Sequence, residues 1–477
     1  MKTLSTALLL SLAFANQAGA APFNLVSTPA AAKVPAGLRA AFRDARATEI
    51  GTRPSDATPW TEQIVTVDDG IADDRLGTAV AISGDTAVIA SAVWSYNASG
   101  LSREVGPRNI DANQKGAIYI FTLQDGVWTQ TQKLFASDAA DYSNFGSSLA
   151  LEGSTLLVAA LNANVGDVSQ QGAVYAFTRS DGSWTQTQKF TSSDGGSTEA
   201  FGSAIALHGT TAVIGALNAH PNGNTMQGEA YVFTLVDGLW TEQQILVADD
   251  GTSNDRFGQS VAFDGSTILV GAPTLPYNVV HAGWVYAFEQ SGNSWTQTAK
   301  IIPADSTPSD QFGYAIGVAG NTALISALGN QFAHGAVYAF DHASGSWTQT
   351  QKLSPGDSAS GDQFGNAIAL QGSTAIVGAQ AMVAGEREGT AYVLESSGGA
   401  WGDPIEFIEG AAGALDLFGS AVAYDGTTAL VGAPGATVDG LNSAGAVHFY
   451  VAPPQDDIFC SGFEDSTSCA MSARPAH

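Results

Sequence analysis

The sequence predicts an all-β protein, a seven-bladed β-propeller of four-stranded antiparallel blades that is closed by an N-terminal outer strand. One pattern recurs seven times within the 477 residues. Each copy contains segments with the composition of strands, separated by turns, and one more such segment precedes the first copy. Tandem repeats of roughly 50 residues with four short strands each are typical of propeller blades.

The first strand of each copy begins at an apolar–Gly pair. The seven pairs are spaced 52 to 69 residues apart and are Leu76-Gly77, Phe145-Gly146, Phe201-Gly202, Phe257-Gly258, Phe312-Gly313, Phe364-Gly365 and Phe418-Gly419. Bulky and small residues alternate after each pair, as Ile205 and Leu207 do with Ala206. Alternation with period two indicates a strand. Because both faces are apolar, we expect both to be packed.

Glycines and tryptophans mark the other three strands. A Gly followed two residues later by Thr, as in Asp264-Gly265 or Asp425-Gly426, predicts a tight hairpin to the second strand. The third strands begin at Gly116, Gly172, Gly228, Gly283, Gly335, Gly389 and Gly445. The fourth strands begin at Trp128, Trp184, Trp240, Trp295, Trp347 and Trp401. Thr and Gln dominate these fourth strands, as is typical of an outer strand with one face in water.

The count of strands indicates how the ring closes. Seven first strands are followed by only six Trp strands, and a seventh Trp strand, Trp60 to Val67, lies upstream of the first copy. We expect it to be the outer strand of the last blade, beside Phe418 to Tyr424, Thr428 to Ala433 and Gly445 to Tyr450. A solenoid is the alternative, but it would need capping repeats at its ends.

The repeat resembles a known family. Phe-Gly starts followed by Gly215-Ala216, Gly271-Ala272-Pro273 and Gly432-Ala433-Pro434 are similar to FG-GAP repeats, which form the seven-bladed propeller of integrin alpha subunits. The resemblance covers about residues 60–450. It implies ligand binding on the face that carries the long loops. It also implies calcium sites in the turn between the first two strands, but here that turn lacks the Asp and Asn ligands, so we expect no cofactor there.

The ends of the chain lie outside the repeat. Residues 1–20 have the pattern of a secretory signal, with Lys2, an apolar stretch and a small-residue cleavage site at Ala18-Gly19-Ala20. We interpret residues 21–58 as a loose leader, residues 59–451 as the propeller and residues 452–477 as a tail. We expect a protein that is secreted, periplasmic or on the cell surface, with a disulfide between Cys460 and Cys469. The tail's Asp457 to Glu464 segment is either a sorting signal or a docked tail.

The net charge of the chain limits the classes of partner that it is expected to bind. A formal net charge of −27 disfavours nucleic acids and anionic membranes, which require a cationic surface. No run of about 18 apolar residues that could span a membrane follows the signal. A protein or a glycan therefore remains the expected ligand.

Acidic residues crowd the loops that precede the first strands. One set recurs two residues before the apolar–Gly pair and is predicted to fix the turn: Asp74, Glu199, Asp255, Asp310, Asp362 and Asp416. We interpret the other acids as additions to the repeat and therefore as ligand-binding candidates: Asp73, Asp141, Asp194 and Asp250. The insertion from Trp94 to Lys115 adds an aromatic and basic group of candidates: Trp94, Tyr96, Arg103 and Arg108.

No catalytic constellation is recognisable in the sequence. Gly356-Asp357-Ser358 has no His placed by a motif to activate the serine, and the seven His residues form no zinc motif. The leading hypothesis is a non-catalytic binding propeller. The alternatives are an extracellular polysaccharide hydrolase or lyase with carboxylates in the central cavity, and a structural surface protein.

Overall fold

Seven sheets around a central channel make up the described part of the protein. The computed structural model describes residues 60–92, 115–140, 142–274, 281–356, 358–381, 389–407 and 416–452. Within these ranges the strands form the predicted seven antiparallel blades. The only helical elements there are a 3₁₀ turn, Pro221–Gly223, and a short helix, Asn330–Ala333. None of the helices in the described ranges is long and apolar enough to cross a membrane.

Six blades follow the chain order. Blade 1 contains β2 (Leu76–Ser83), β3 (Thr86–Ser91), β4 (Ala117–Gln124) and β5 (Val127–Leu134); blade 2 contains β6 (Phe145–Glu152), β7 (Thr155–Ala160), β8 (Ala173–Ser180) and β9 (Ser183–Phe190). Blade 3 contains β10 (Phe201–His208), β11 (Thr211–Ala216), β12 (Glu229–Val236) and β13 (Leu239–Leu246); blade 4 contains β14 (Ser260–Phe263), β15 (Thr267–Ala272), β16 (Trp284–Ser291) and β17 (Ser294–Ile301). Blade 5 contains β18 (Phe312–Ala319), β19 (Thr322–Ala327), β20 (Ala336–Ala343) and β21 (Ser346–Leu353); blade 6 contains β22 (Phe364–Gln371), β23 (Thr374–Ala379), β24 (Thr390–Ser397) and the divided outer strand β25 (Ala400–Trp401) and β26 (Ile405–Phe407).

Blade 7 joins the two ends of the propeller. It contains β27 (Val422–Tyr424), β28 (Thr428–Ala433), β29 (Ala446–Val451) and, as its outer strand, β1 (Thr61–Val65). The antiparallel register of β1 and β29 runs from Thr61 opposite Val451 to Val65 opposite Val447, which confirms the predicted closure. The first strand of this blade, Val422–Tyr424, is shorter than the predicted Phe418 to Tyr424.

The hydrophobic core lies between neighbouring blades rather than inside any one of them. Between blades 2 and 3, for example, Leu157 and Val174 pack with Phe201, Tyr231 and Trp240. Both faces of an interior sheet are therefore buried against the next blade. This arrangement explains why both faces of the first strand are apolar in the sequence.

The glycine at the start of each third strand lies in close contact with the next blade. A Cβ on Gly172, at the start of a third strand, would lie 2.2 Å from the carbonyl oxygen of Phe201 in the next blade. A Cβ on Gly228 would lie 2.0 Å from the carbonyl oxygen of Phe257. At the same junction the Phe201 N–H donates to the Gln171 carbonyl at 2.8 Å. Only glycine permits this approach, so the Gly of one blade and the Phe of the next recur together.

Glutamine side chains connect the outer strands of neighbouring blades. Each amide donates to the backbone carbonyl of a Trp in the next blade and accepts a hydrogen bond from its N–H, as a strand partner would. The pairs are Gln63–Trp128, Gln132–Trp184, Gln188–Trp240, Gln244–Trp295 and Gln351–Trp401, with N···O distances of 2.7–3.0 Å. The Gln-rich composition of the fourth strand therefore holds the ring together at its rim.

Candidate functional site

The two faces of the disc differ in the length of their connections. Turns of two or three residues join first to second and third to fourth strands, and they contact each other between blades. The Gly209 N–H donates to Oε2 of Glu152 at 2.7 Å, and the Gly153 N–H donates to Oγ of Ser83 at 3.1 Å. We call this side the short-turn face.

The longer connections share the opposite side, as predicted, and we call it the long-loop face. There, loops between second and third strands bind loops that lead into the next blade. Thr198 N–H donates to the Ser169 carbonyl at 3.0 Å, and Asn254 N–H donates to the Thr225 carbonyl at 2.9 Å. Backbone hydrogen bonds therefore fix loops of differing length on this face.

The acids two residues before the apolar–Gly pair bind their own turns. A carboxylate oxygen accepts a backbone N–H at 2.8 Å in Asp74, 2.6 Å in Asp255, 2.7 Å in Asp310 and 2.6 Å in Asp362. Burial raises the pKa of Asp255, while hydrogen bonds from Thr252 act in the opposite direction. These are the contacts expected of side chains that fix a turn.

A second set of acids also repeats, seven residues before the first strand. In three blades a Tyr hydroxyl and a Lys ammonium bind the two oxygens of one Asp: Tyr119–Asp69–Lys133 (3.3 and 2.6 Å), Tyr175–Asp138–Lys189 (2.8 and 2.5 Å) and Tyr286–Asp250–Lys300 (2.9 and 2.6 Å). Lys352 binds Asp305 in the same way at 2.7 Å. The Lys133 ammonium holds the pKa of Asp69 below its usual value.

This periodicity corrects one interpretation of the sequence. Asp194 and Asp250 are not additions to the repeat, because they occupy the same position as Asp69 and Asp138 and bind the equivalent tyrosines. Their partners lie 37 and 36 residues away in sequence, respectively, so no local pattern reveals them. Both carboxylates belong to exposed residues on the long-loop face, and their contact with a ligand stays a prediction.

Blade 3 departs from blades 1, 2, 4 and 5 at this position, where each of those blades has a lysine opposite the tyrosine. Tyr231 is opposite Ile245 rather than a lysine, and Glu229 stands where blades 1, 2 and 5 have alanine. The Tyr231 hydroxyl lies 3.0 Å from Oδ1 of Asp194 and 2.5 Å from Oε2 of Glu229. Two carboxyl groups therefore contact one phenol here, and Ile245 occupies the position of the lysine in blades 1, 2, 4 and 5.

The junction of blades 7 and 1 brings exposed apolar side chains to the long-loop face. Ile71 is 51% exposed and Leu441 is 38% exposed, on two loops that are joined by a hydrogen bond from the Asp73 N–H to the Asn442 carbonyl at 2.9 Å. We call Ile71, Asp73 and Leu441 the junction patch. The sequence signal for it is a pair of apolar residues within Asp- and Gly-rich loops.

Several predicted site residues lie outside the described part of the chain. These are Trp94, Tyr96, Arg103, Arg108 and Asp141, together with Cys460 and Cys469. In sequence, the first four follow β3, whose C-terminal end is on the long-loop face. Ser91 at that end donates from Oγ to the Asp74 carbonyl at 2.6 Å.

Residues of apolar type line the central channel toward the short-turn face. A cavity of about 330 Å³ is lined by side chains from the first strands, including Val80, Leu149, Leu151, Leu207 and Tyr424. No carboxylate is among the described residues that line it. The carboxylates that the hydrolase or lyase hypothesis puts in the cavity are therefore not found in this part of it.

Acidic turn residues bind backbone groups rather than each other. Oδ1 of Asp264 accepts from the N–H groups of Ser266 and Thr267, both at 2.9 Å, and Asp425 is bound in the same way. Over the residues that the structure describes, no three His, Cys, Asp or Glu side chains are grouped so as to hold a metal ion.

Comparison with known proteins finds the same repeat. The family model described as FG-GAP repeat matches residues 128–177, 184–233, 240–288, 295–340, 347–394 and 405–450, more than half of the chain. Each matched segment runs from the outer strand of one blade to the third strand of the next, so the sequence unit crosses a blade boundary. No curated protein matches the chain.

Proposed function

Because the chain belongs to the FG-GAP repeat family, we propose that it is an exported, non-catalytic propeller that binds a protein or a glycan with its long-loop face. The observation that carries this proposal is the difference between the two faces. Short turns of nearly constant length cover one side, whereas loops of varied length and sequence cover the other. Loops on a rigid scaffold are the usual place for recognition.

The chemistry of the described loops supports a mixed apolar and acidic contact. Ile71 and Leu441 offer apolar area beside the exposed carboxylate of Asp73. The chain's net charge of −27 adds a long-range attraction for basic groups. We therefore favour a ligand with both apolar and cationic groups, whose association rate falls as salt is added.

Export is supported by the sequence of residues 1–20, which has the charge and apolar pattern of a secretory signal. We propose that the mature protein acts outside the cytoplasm, either free or on the cell surface. Expression of the full chain in a Gram-negative host, followed by fractionation and N-terminal sequencing, tests this. Recovery of an uncleaved Met1 in the cytoplasm would contradict it.

The binding proposal is tested with two matched triple variants. One changes the junction patch with Ile71→Ser, Asp73→Asn and Leu441→Ser. The other changes three exposed apolar residues of the short-turn face with Val127→Ser, Val236→Ser and Leu239→Ser. The short-turn variant replaces three exposed apolar residues and the junction variant two, so the control removes at least as much exposed apolar area as the test variant.

The probes are an array of soluble polysaccharides and an array of basic, apolar-rich peptides. We expect the junction variant to lose at least about tenfold in affinity, or roughly 1.4 kcal/mol, for any probe that binds the wild type. The short-turn variant should keep its affinity. The opposite ranking of the two variants would contradict the proposal, and turnover of a polysaccharide by the wild type would favour the enzyme hypothesis.

A further inference from the structure

We infer that blade 3 holds an extra proton, shared between Glu229 and the Tyr231–Asp194 pair, and that losing this proton at higher pH loosens one loop of the long-loop face. The inference goes beyond the proposed binding function and does not require it. It rests on a comparison of one position in blades 1 to 4.

The comparison begins with charge balance. In blades 1, 2 and 4 the Asp that binds the Tyr hydroxyl also binds a Lys ammonium at 2.5–2.6 Å. One anion, one cation and one neutral phenol make a balanced group. Each charge in such a group has an opposite charge in contact, whereas removal of one partner would leave an uncompensated charge.

Blade 3 lacks the lysine and has a second acidic residue instead. Ile245 occupies the position of Lys133, Lys189 and Lys300 in the strand register. Glu229 adds a second carboxyl group that is 7% exposed. If both acids were ionised, the phenol would contact two carboxylates, with Ile245 in place of the ammonium that balances the charge in blades 1, 2 and 4.

The number of hydrogens available for these two contacts indicates the protonation state of Glu229. The Tyr231 hydroxyl has one hydrogen, but its oxygen lies 2.5 Å from Glu229 Oε2 and 3.0 Å from Asp194 Oδ1. Both distances are those of hydrogen bonds. A protonated Glu229 completes the set: its O–H donates to the Tyr231 oxygen, and the Tyr231 O–H donates to the Asp194 carboxylate.

The surroundings favour the proton on Glu229. Burial raises the pKa of Glu229, and the negative charges of Asp194, Glu199 and Glu242 raise it further, while the hydrogen bond with Tyr231 acts in the opposite direction. Burial also raises the pKa of Tyr231 far above its usual value, so the phenol keeps its own proton. Burial raises the pKa of Glu199 as well, while His220 acts on it in the opposite direction.

Loss of the proton affects the loop that carries Asp194. This loop, residues 191–200, is attached to the neighbouring loop on the long-loop face through the Thr198 N–H and the Ser169 carbonyl. With Glu229 ionised, repulsion across the phenol favours release of Asp194, which is exposed, over movement of Glu229, which is buried in a strand. Rising pH is therefore expected to open this loop while the equivalent loop of blade 4 keeps its lysine-bound Asp250.

The direction of the pH dependence follows from the linkage between proton binding and folding. An acid whose pKa is raised by folding binds its proton more tightly in the folded protein than in the unfolded chain. The associated stability is present at low pH and decreases as pH rises above the ordinary Glu value of about 4.3. This trend is opposite to that of the lysine-bound Asp138, whose pKa folding lowers.

The test is hydrogen exchange on the full chain between about pH 5 and about pH 9, corrected for intrinsic exchange. Residues 191–200 are compared with residues 247–256, the matched loop of blade 4. In the wild type we expect protection of the first loop to fall relative to the second as pH rises, by up to about tenfold for each pKa unit of the Glu229 shift. Equal trends in the two loops would overturn the inference.

Two variants separate the shared proton from other causes. Glu229→Gln keeps the shape and the neutral charge of the protonated acid, so the extra pH dependence should disappear. Ile245→Lys supplies the ammonium found in blades 1, 2 and 4 and should also remove it. An unchanged pH dependence in a folded Glu229→Gln variant overturns the inference, and if that variant does not fold, an unchanged dependence in Ile245→Lys does so.

Discussion

Nδ1 of His448 lies 2.8 Å from Oε1 of Glu62, and this contact joins the first strand of the propeller to the last. The same Glu62 oxygen accepts a hydrogen bond from the Tyr450 hydroxyl at 2.9 Å. His448 occupies the position of Tyr175 in blade 2, so blade 7 replaces the Tyr–Asp–Lys group with a His–Glu–Tyr group. The acid comes from β1, which arrives from the other end of the repeat region.

Removal of the Glu62 carboxylate should weaken the closure of the ring. Glu62→Ala deletes the acceptor of two hydrogen bonds beside a buried imidazole, and we expect it to lower the free energy of unfolding by about 1–3 kcal/mol. Glu62→Gln keeps an acceptor oxygen and should lose less. Urea unfolding measures both, with the exposed Thr61→Ala of the same strand as control, expected within about 0.5 kcal/mol of wild type.

The same contact predicts a pH dependence in the range where histidine titrates. Burial lowers the pKa of His448 below the usual value, although Glu62 acts in the opposite direction. The unfolded chain therefore binds this proton more readily, and the stability is present above about pH 6.5 and lost as pH falls below it. Lysine-bound Asp138 and Asp250, whose pKa values are lowered, lose stability only at more acidic pH.

A His448→Tyr variant tests this, because tyrosine occupies the position in the other blades and does not titrate there. We expect the difference in Tm between wild type and variant to change between about pH 7.5 and about pH 5.5, with the wild type losing more as pH falls. The comparison cancels the opposite trend expected of Glu229. Parallel curves would show that His448 does not contribute.

The glutamine contacts at the rim predict a contrast between two neighbouring residues. Gln244 bridges to both backbone atoms of Trp295 at 2.7 Å, whereas Gln243 is exposed and contacts only its own strand. Gln244→Ala should therefore cost about 1–3 kcal/mol for two lost neutral hydrogen bonds. Gln243→Ala should cost under about 0.5 kcal/mol. Equal losses by urea unfolding would mean that the bridge adds no stability.

Closure by β1 predicts different outcomes for two N-terminal truncations. Deletion of residues 21–55 leaves Trp60 and β1 in place and should be tolerated. Deletion of residues 21–67 removes the partner of β29 and exposes its unpaired N–H and C=O groups, so we expect a lower Tm or aggregation. Size-exclusion chromatography and thermal melting compare the two, and equal stability would contradict the closure.

The blades were predictable from the sequence because their signals are local. A glycine at a turn, a period-two apolar pattern and a Trp at the start of the outer strand each report on a few consecutive residues. Even the closure by β1 follows from counting Trp strands. The shorter first strand of blade 7, Val422–Tyr424, was not predictable, because its sequence has the same apolar–Gly start and period-two pattern as the longer first strands.

The side-chain groups on the long-loop face were less accessible to sequence reasoning. Asp138 lies in the loop before blade 2 and contacts Tyr175 and Lys189 of that blade, which are 37 and 51 residues away in sequence. The acids looked additional to the repeat because their partners are revealed only when the loop and the outer strand are folded together. Aligning the copies at the seventh residue before each apolar–Gly pair would have found them.

Replacement of residues 95–113 by a short Gly–Ser linker tests the central claim, that the long-loop face binds the ligand, most directly. The insertion holds Tyr96, Arg103 and Arg108, and it begins after β3 on that face. With a probe that binds the wild type, we predict at least about a tenfold loss of affinity and an unchanged Tm. Full binding by this variant, together with loss of binding by the Val127, Val236 and Leu239 variant of the short-turn face, would contradict the claim.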